Sequence, residues 1–260
     1  MRYSINNENL NRLYGKIKKE LIERTEIINE LLKIDYKYCK IKINIQMLID
    51  LMDRFSEEKI DIQEEKRILI KYSGNPYITL NLCIIAILTK STILLEFNEY
   101  MLGINTLIIE VINESLKYFN TDNLIYLNSK KDTEDIDKII CIDDINEYNA
   151  YLREKNTKVR FYSLYYMDYY TDTDEFEELE DLIYEFAENN LIPIEGYSEL
   201  DVDNAIELMK KGIGQSIVIL TNNKQTQEAI EKNIKNKKIY INKNPFEEKI
   251  KVIKKDIILL

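Results

Sequence analysis

From residue 66 onward, short β-rich runs alternate with helical runs of ten or more residues, and this alternation constrains the fold more than any other feature of the chain. RILIKY (67–72), STILLEF (91–97), LIYLN (124–128), DKIICID (137–143), KVRFYSL (158–164), IPIEGYS (192–198), SIVILTN (216–222) and KIYIN (238–242) read as strands. Between them, helices are predicted over 76–88, 100–119, 145–155, 174–189, 202–211 and 224–235. Two parallel strands need a long crossover, and these helices supply it, so the sheet is expected to be largely parallel. The runs 82–88 and 217–220 are apolar on all sides, as elements covered on both faces should be. The tail KIKVIKKDIILL carries one or two further strand candidates.

The residues before 66 read differently. Leu10, Leu13, Ile17, Leu21, Ile28, Leu31 and Leu32 recur at helical spacing, and Ile45, Leu48, Ile49, Met52 and Phe55 fit a second helix. The predicted fold class is therefore α/β: N-terminal helices, then alternating strands and helices forming a Rossmann-like parallel sheet, with a smaller second part. The expected organisation is a helical segment over 1–65, a Rossmann-like part over 66–157 and a reduced second part over 158–260. Local signals support several boundaries. Ser73-Gly74-Asn75-Pro76 offers a turn, a capping Asn and a Pro at the first helical position. Gly212 stands where a helix stop is wanted, and Asp172, Thr173 and Asp174 can cap the acidic helix that follows them.

Composition narrows the chemistry. The 260 residues contain no histidine, which excludes a Ser-His-Asp triad, a Cys-His pair and any His-ligated metal. Cys39, Cys83 and Cys141 are widely spaced with no CxxC pair, as expected of a reduced, cytoplasmic setting. The net charge of −10 argues against nucleic acid and against an anionic membrane surface. The N-terminus lacks an apolar signal core, and no apolar run approaches a membrane span.

Individual motifs are weak. Gly212-Ile213-Gly214 follows a helix and precedes a strand, the reverse of a dinucleotide-binding loop, and reads as a helix stop. Asp168, Asp172, Asp174, Glu175, Glu177 and Glu178 lack the spacing of a cation loop and read as a solvated helix start, so no metal site is expected. The tyrosines of FYSLYYMDYY (161–170) read as a partly exposed strand and loop, with an interface as the alternative. Cys141 lies near a strand C-terminus, the right place for a nucleophile. Asp143 and Asp144 beside it disfavour a thiolate, so it reads first as core and only second as a catalytic candidate. Cys83 reads as core.

Two stretches together resemble the aldehyde dehydrogenase superfamily, and most of all its γ-glutamyl phosphate reductase branch. One is YSGNPYITLNLCIIAILTKSTILLEFNEYMLGIN (72–105), similar to the family's strand, Pro turn, apolar helix and following strand. The other is ELDVDNAIELMKKGIGQSIVILTNNKQTQEAIEKNIKNKKIYINKNPF (199–246), where Asp203, Ala205-Ile206, Gly212/Gly214, Thr221 and Ile241-Asn242 match the family's returning segment. The middle region over 136–162 fits more loosely. The resemblance implies an NAD(P) cleft whose residues here are Ser73, Asn75, Pro76, Glu96, Asn98 and Glu99.

The chemistry that the resemblance implies is largely missing. The family's catalytic Cys falls between Tyr169 and Leu200, an interval with no cysteine. Its general-base Glu falls near Arg160-Phe161, and no carboxylate stands there. Glu96 occupies the place of a basic cofactor residue, and Asp143-Asp144 the place of glycines near the pyrophosphate. One reversed contact costs about 1–3 kcal/mol of binding. The resemblance thus points to a catalytically inactive relative with a binding or scaffolding role, acting as a homo-oligomer or on a protein partner, with no cofactor required and NAD(P) binding weakened. The alternatives are an NAD(P)-dependent aldehyde or acyl-phosphate reductase using Cys141 or a second chain's thiol, a nucleotide-binding sensor, and an unrelated α/β protein.

Overall fold

The computed structural model describes residues 7–39, 44–54, 66–97, 101–127, 135–142, 145–153, 158–162, 167–189, 194–197, 200–211, 216–245, 248–249 and 252–254. The chain divides into two compact units, Met1–Tyr162 with Ile253–Leu260, and Ser163–Val252.

The first unit opens with helices α1 (Asn7–Glu23), α2 (Thr25–Cys39) and α3 (Ile45–Arg54). The periodic stripe from Leu10 to Leu32 is therefore two helices meeting at Arg24, which pairs with Glu20 and with Glu114 of a later helix. Strands β1 (Arg67–Tyr72), β2 (Thr92–Phe97), β3 (Ile125–Leu127), β4 (Lys138–Ile142) and β5 (Val159–Tyr162) follow, separated by α4 (Pro76–Thr89), α5 (Leu102–Tyr118) and α6 (Ile145–Arg153). They form one sheet in the order β3-β2-β1-β4-β5, and every pair is parallel.

Each face of this sheet has its own cover. Leu69, Leu94, Ile139, Cys141 and Val159 form a buried cluster with Tyr148 and Tyr151 of α6 and with Phe161. The opposite face carries α4 and α5, and every residue of α4 except Tyr77 is buried. The helix is shut in because its sequence has no polar side to show to water. α1 and α3 add their own buried faces, Leu10, Leu13, Ile17 and Leu21 from one and Leu48, Leu51 and Met52 from the other.

The second unit holds β6 (Met167–Thr171), α7 (Glu177–Asn189), β7 (Ile194–Gly196), α8 (Val202–Lys211), β8 (Ser216–Leu220), α9 (Lys224–Asn233) and β9 (Lys238–Ile241). Its sheet runs β7-β6-β8-β9, again all parallel. Tyr170, Ala205, Ile206, Met209, Ile217, Ile219 and Ile230 form its core beneath α8 and α9.

Some expectations are corrected here. In the tyrosine run, Phe161 and Tyr162 are half-buried on β5 and 163–166 lie outside the described residues, but Asp168, Tyr169 and Tyr170 are buried, because β6 is an inner strand with a neighbour on either side. Asp168 accordingly leaves the solvated acidic group. Its side chain is sealed from water and meets Lys237 Nζ at 2.6 Å, whereas Asp172, Asp174, Glu175, Glu177 and Glu178 are exposed. In the tail, 252–254 are helical and not strand, while 250–251 and 255–260, like Gly212 and Gly214, lie outside the described residues.

Candidate functional site

In a parallel sheet, ligands sit beyond the strand C-termini where the strand order reverses. In the first unit that point lies between β1 and β4. The rim there is Tyr72, Ser73, Gly74 and the start of α4.

The turn that carries α4 into place is tightly determined. Gly74 has φ +92, and a Cβ on it would stand 3.1 Å from the Cβ atoms of both Phe97 and Met101. Glycine is needed on both counts. Asn75 then caps the helix: its Oδ1 accepts from Tyr77 N at 2.8 Å and Ile78 N at 3.4 Å. Pro76 at the first helical position has no N–H, and the N–H of Thr79 donates to the Asn75 carbonyl at 2.9 Å. The first turn therefore holds its donors internally, where a diphosphate-binding helix presents them to its ligand.

Behind the turn lies a buried polar chain. Asn105 donates from Nδ2 to the Gly74 carbonyl at 2.6 Å and accepts from Thr79 Oγ1 at 2.6 Å. Thr79 Oγ1 in turn meets the Tyr72 hydroxyl at 2.5 Å. Burial pushes the Tyr72 phenol well above its ordinary range, so it stays a neutral donor. Tyr72 also packs edge-on against Phe97, ring centroids 5.5 Å apart.

The charge expected of Glu96 is changed by its surroundings. Lys71 and Glu96 are register partners on β1 and β2, and Lys71 Nζ lies 3.0 Å from the Glu96 carboxylate. The ammonium also stands 5.2 Å from the centroid of the Tyr151 ring. Glu96 is thus one half of a largely buried ion pair, and the repulsion of a phosphate that its charge alone implies is offset by Lys71.

Cys141 sits one strand over, as the register partner of Lys71 on β4. It is fully buried in the cluster under α6. Cys83 is buried within α4, and burial drives its thiol far above the ordinary range. Of the cleft residues expected from sequence, Ser73 is exposed at the turn, Asn75 and Pro76 are buried in the cap, and Glu96 is paired. Asn98, Glu99, Asp143 and Asp144 lie outside the described residues. Sequence reasoning missed Lys71, Tyr72, Thr79 and Asn105. Their signal was a polar residue inside an otherwise apolar run, as in RILIKY and PYITLNLCIIAIL.

The second unit reverses its strand order between β6 and β8. Beside that rim, at the C-terminal ends of β8 and β9, the Asn242 side chain imitates a strand. Its Oδ1 accepts from Thr221 N and its Nδ2 donates to Thr221 O, both at 3.0 Å. Gln227 Nε2 donates to the same carbonyl at 2.8 Å, and Thr221 Oγ1 accepts from Asn223 N at 3.0 Å. Asn242 reaches this geometry with φ 50. Thr221 and Asn242, two residues that carry the sequence resemblance, are therefore bonded partners. Among the described residues no group of three or more His, Cys, Asp or Glu could hold a metal ion.

The architecture is that of the aldehyde dehydrogenase fold. It matches a γ-glutamyl phosphate reductase from Thermotoga maritima with a TM-score of 0.57 at 17% identity, over 92% of this chain and 84% of that one. A propionaldehyde dehydrogenase variant from a Clostridium phytofermentans bacterial microcompartment matches at 0.63 and 10% identity, over 93% and 84% of the two chains. An acetylating aldehyde dehydrogenase from Geobacillus thermoglucosidasius matches at 0.62 and 10%, over 93% and 82%. No family model matches the sequence, and no curated protein does.

Proposed function

We propose that this chain is an inactive aldehyde dehydrogenase-like protein that acts by binding, as a homo-oligomer or on a protein partner in the cytoplasm, and not by oxidation or reduction. The observation that carries the reading is the placement of Cys141. It lies on β4 near the rim of the first sheet, and it is fully buried under α6 with Tyr148 and Phe161. A thioester-forming thiol must reach a substrate carbonyl and ionise readily. Among the described residues no helix is long and apolar enough to cross a membrane.

The test combines three measurements on the full chain. Labelling of native Cys141 by an aromatic disulfide should run far slower than labelling of a free thiol. No NAD(P)-linked turnover should appear with aldehydes or acyl phosphates. Titration with NADH and NADPH, followed by cofactor fluorescence in a protein without Trp, should show no saturation below millimolar. Fast labelling of Cys141 together with turnover would establish a reductase and refute the proposal.

One observation favours a second reading, a nucleotide-binding sensor without turnover. Lys71 neutralises Glu96, so the rim is less hostile to a phosphate than the sequence implies. Micromolar cofactor binding without turnover would select it, and Lys71→Met should then weaken that binding about tenfold or more.

A further inference from the structure

The flank of α2 that borders α5 is apolar and open to water. Ile27 and Ile34 stand two turns apart with Leu31 between them, so the three share one side of the helix. Leu31 leans on α5: its Cδ2 lies 3.0 Å from where a Cβ on Gly103 would stand, in the room that the glycine leaves. At the other end Arg24, just before α2, reaches the Glu114 carboxylate at 2.7 Å. α2 therefore runs alongside α5 in the opposite direction, residue 31 beside 103 and residue 24 beside 114. Around the Leu31–Gly103 contact, Ile27 is 52% exposed, Ile34 56% and Leu102 50%. One exposed apolar side chain needs no account, but three grouped about a fourth make a strip of the kind that marks an interaction surface.

The strip has acidic borders. Glu26 and Glu30 follow it along the outer side of α2, and Glu110 stands two turns past Gly103 on the same side of α5. All three are exposed and, among the described residues, none is in an ion pair, whereas Arg24 holds Glu20 and Glu114. Lys33 is the exposed base beside them, one against three. A second copy of this chain suits the strip poorly. A two-fold pairing would set these acids against their own images, in a chain of net charge −10. An anionic membrane meets the same repulsion. We infer that the strip docks an amphipathic helix of a partner protein, apolar along one side and flanked by Lys or Arg. Its apolar side chains lie on Ile27, Ile34 and Leu102, and its bases face Glu26, Glu30 and Glu110. The inference rests on the proposed binding role and names the kind of partner.

The probe is a labelled synthetic peptide of about 18 residues, with Leu at i, i+3, i+4 and i+7 spacing and Lys on its flanks, titrated against the full chain by fluorescence anisotropy. A scrambled peptide of the same composition and a Glu-flanked version are the comparisons. The Lys-flanked peptide should bind saturably and about tenfold or more tighter than either. Ile34→Ser and Leu102→Ser, both at half-exposed positions that the fold tolerates, should each weaken it about tenfold. Glu30→Lys with Glu110→Lys should turn the preference to the Glu-flanked peptide. Leu208→Ser, at an equally exposed leucine of α8, should change nothing. No saturable binding, equal binding of the scrambled peptide, or indifference to Ile34→Ser and Leu102→Ser overturns the inference. A dimer seen in sedimentation and abolished by Ile34→Ser also overturns it, since a second copy then covers the strip. NAD(P)-linked turnover would refute the proposed function and leave peptide binding unchanged, so the two failures are told apart.

Discussion

Asn105→Ala should be among the most costly single changes at the candidate site. Asn105 is fully buried, and its carboxamide holds Gly74 O and Thr79 Oγ1 at 2.6 Å each. In the variant the Thr79 hydroxyl retains a route to the Asn75 carbonyl, 3.1 Å away. The Gly74 carbonyl loses its Asn105 donor in a buried turn, a cost of about 1–3 kcal/mol, and the vacated volume adds to it. A total of about 2–4 kcal/mol is expected, a fall in Tm on the order of 5–10 °C. The assay is thermal and urea unfolding by far-UV circular dichroism. Thr79→Val provides the cycle. It deletes the other half of the same chain, so the double variant should fall short of the sum by about 0.5 kcal/mol or more. If Asn105→Ala lies within about 0.5 kcal/mol of the parent, or the two changes are strictly additive, the buried chain does not hold the turn.

Gly74→Ala forces a side chain onto φ +92 and against Phe97 and Met101, and should cost about 1–3 kcal/mol, read as a lower Tm. Lys237→Met strands the buried Asp168 carboxylate and should cost about 3–5 kcal/mol, while Asp168→Leu with Lys237→Met should recover much of the loss in chemical denaturation. Burial, with Glu248 second, pushes Tyr240 up to about 12. Its contribution to stability is then complete below the ordinary tyrosine range near 10 and is lost as pH rises from there through about 12. Tyr72, Tyr169, Tyr170 and Tyr184 are raised as well, burial first among the causes. Ultraviolet titration of phenolate should therefore show late-ionising tyrosines, with alkaline unfolding accompanying them and delayed ionisation reduced in Tyr240→Phe.

The parallel α/β architecture was legible because its signal is local. β1 reads as RILIKY, α4 has no polar side to present to water, and the Ser73–Pro76 turn announces its own cap. The resemblance to aldehyde dehydrogenases was legible for the same reason, and the fold agrees with it. β6 was not legible as an inner strand, since MDYYT carries an acid and three polar-tipped residues. A partner 69 positions away, Lys237, helps to make Asp168 tolerable inside. Glu96 misled in the same way. Its sign is visible in the sequence, and its neutralisation by Lys71 is a matter of strand register.

By itself, then, the amino-acid order determined most of the segments that become strands and helices, that no imidazole chemistry is available, and that 169–200, where the resemblance implies a nucleophilic cysteine, holds none. Period, capping and composition are properties of neighbouring residues, so they can be read along the chain. Tertiary structure alone decided that Cys141 is sealed under α6, that Lys71 pairs with Glu96, and that Thr221 and Asn242 clasp each other at the ends of β8 and β9. Each depends on residues distant in sequence meeting across parallel strands, where register sets which charges cancel and which donors are already used.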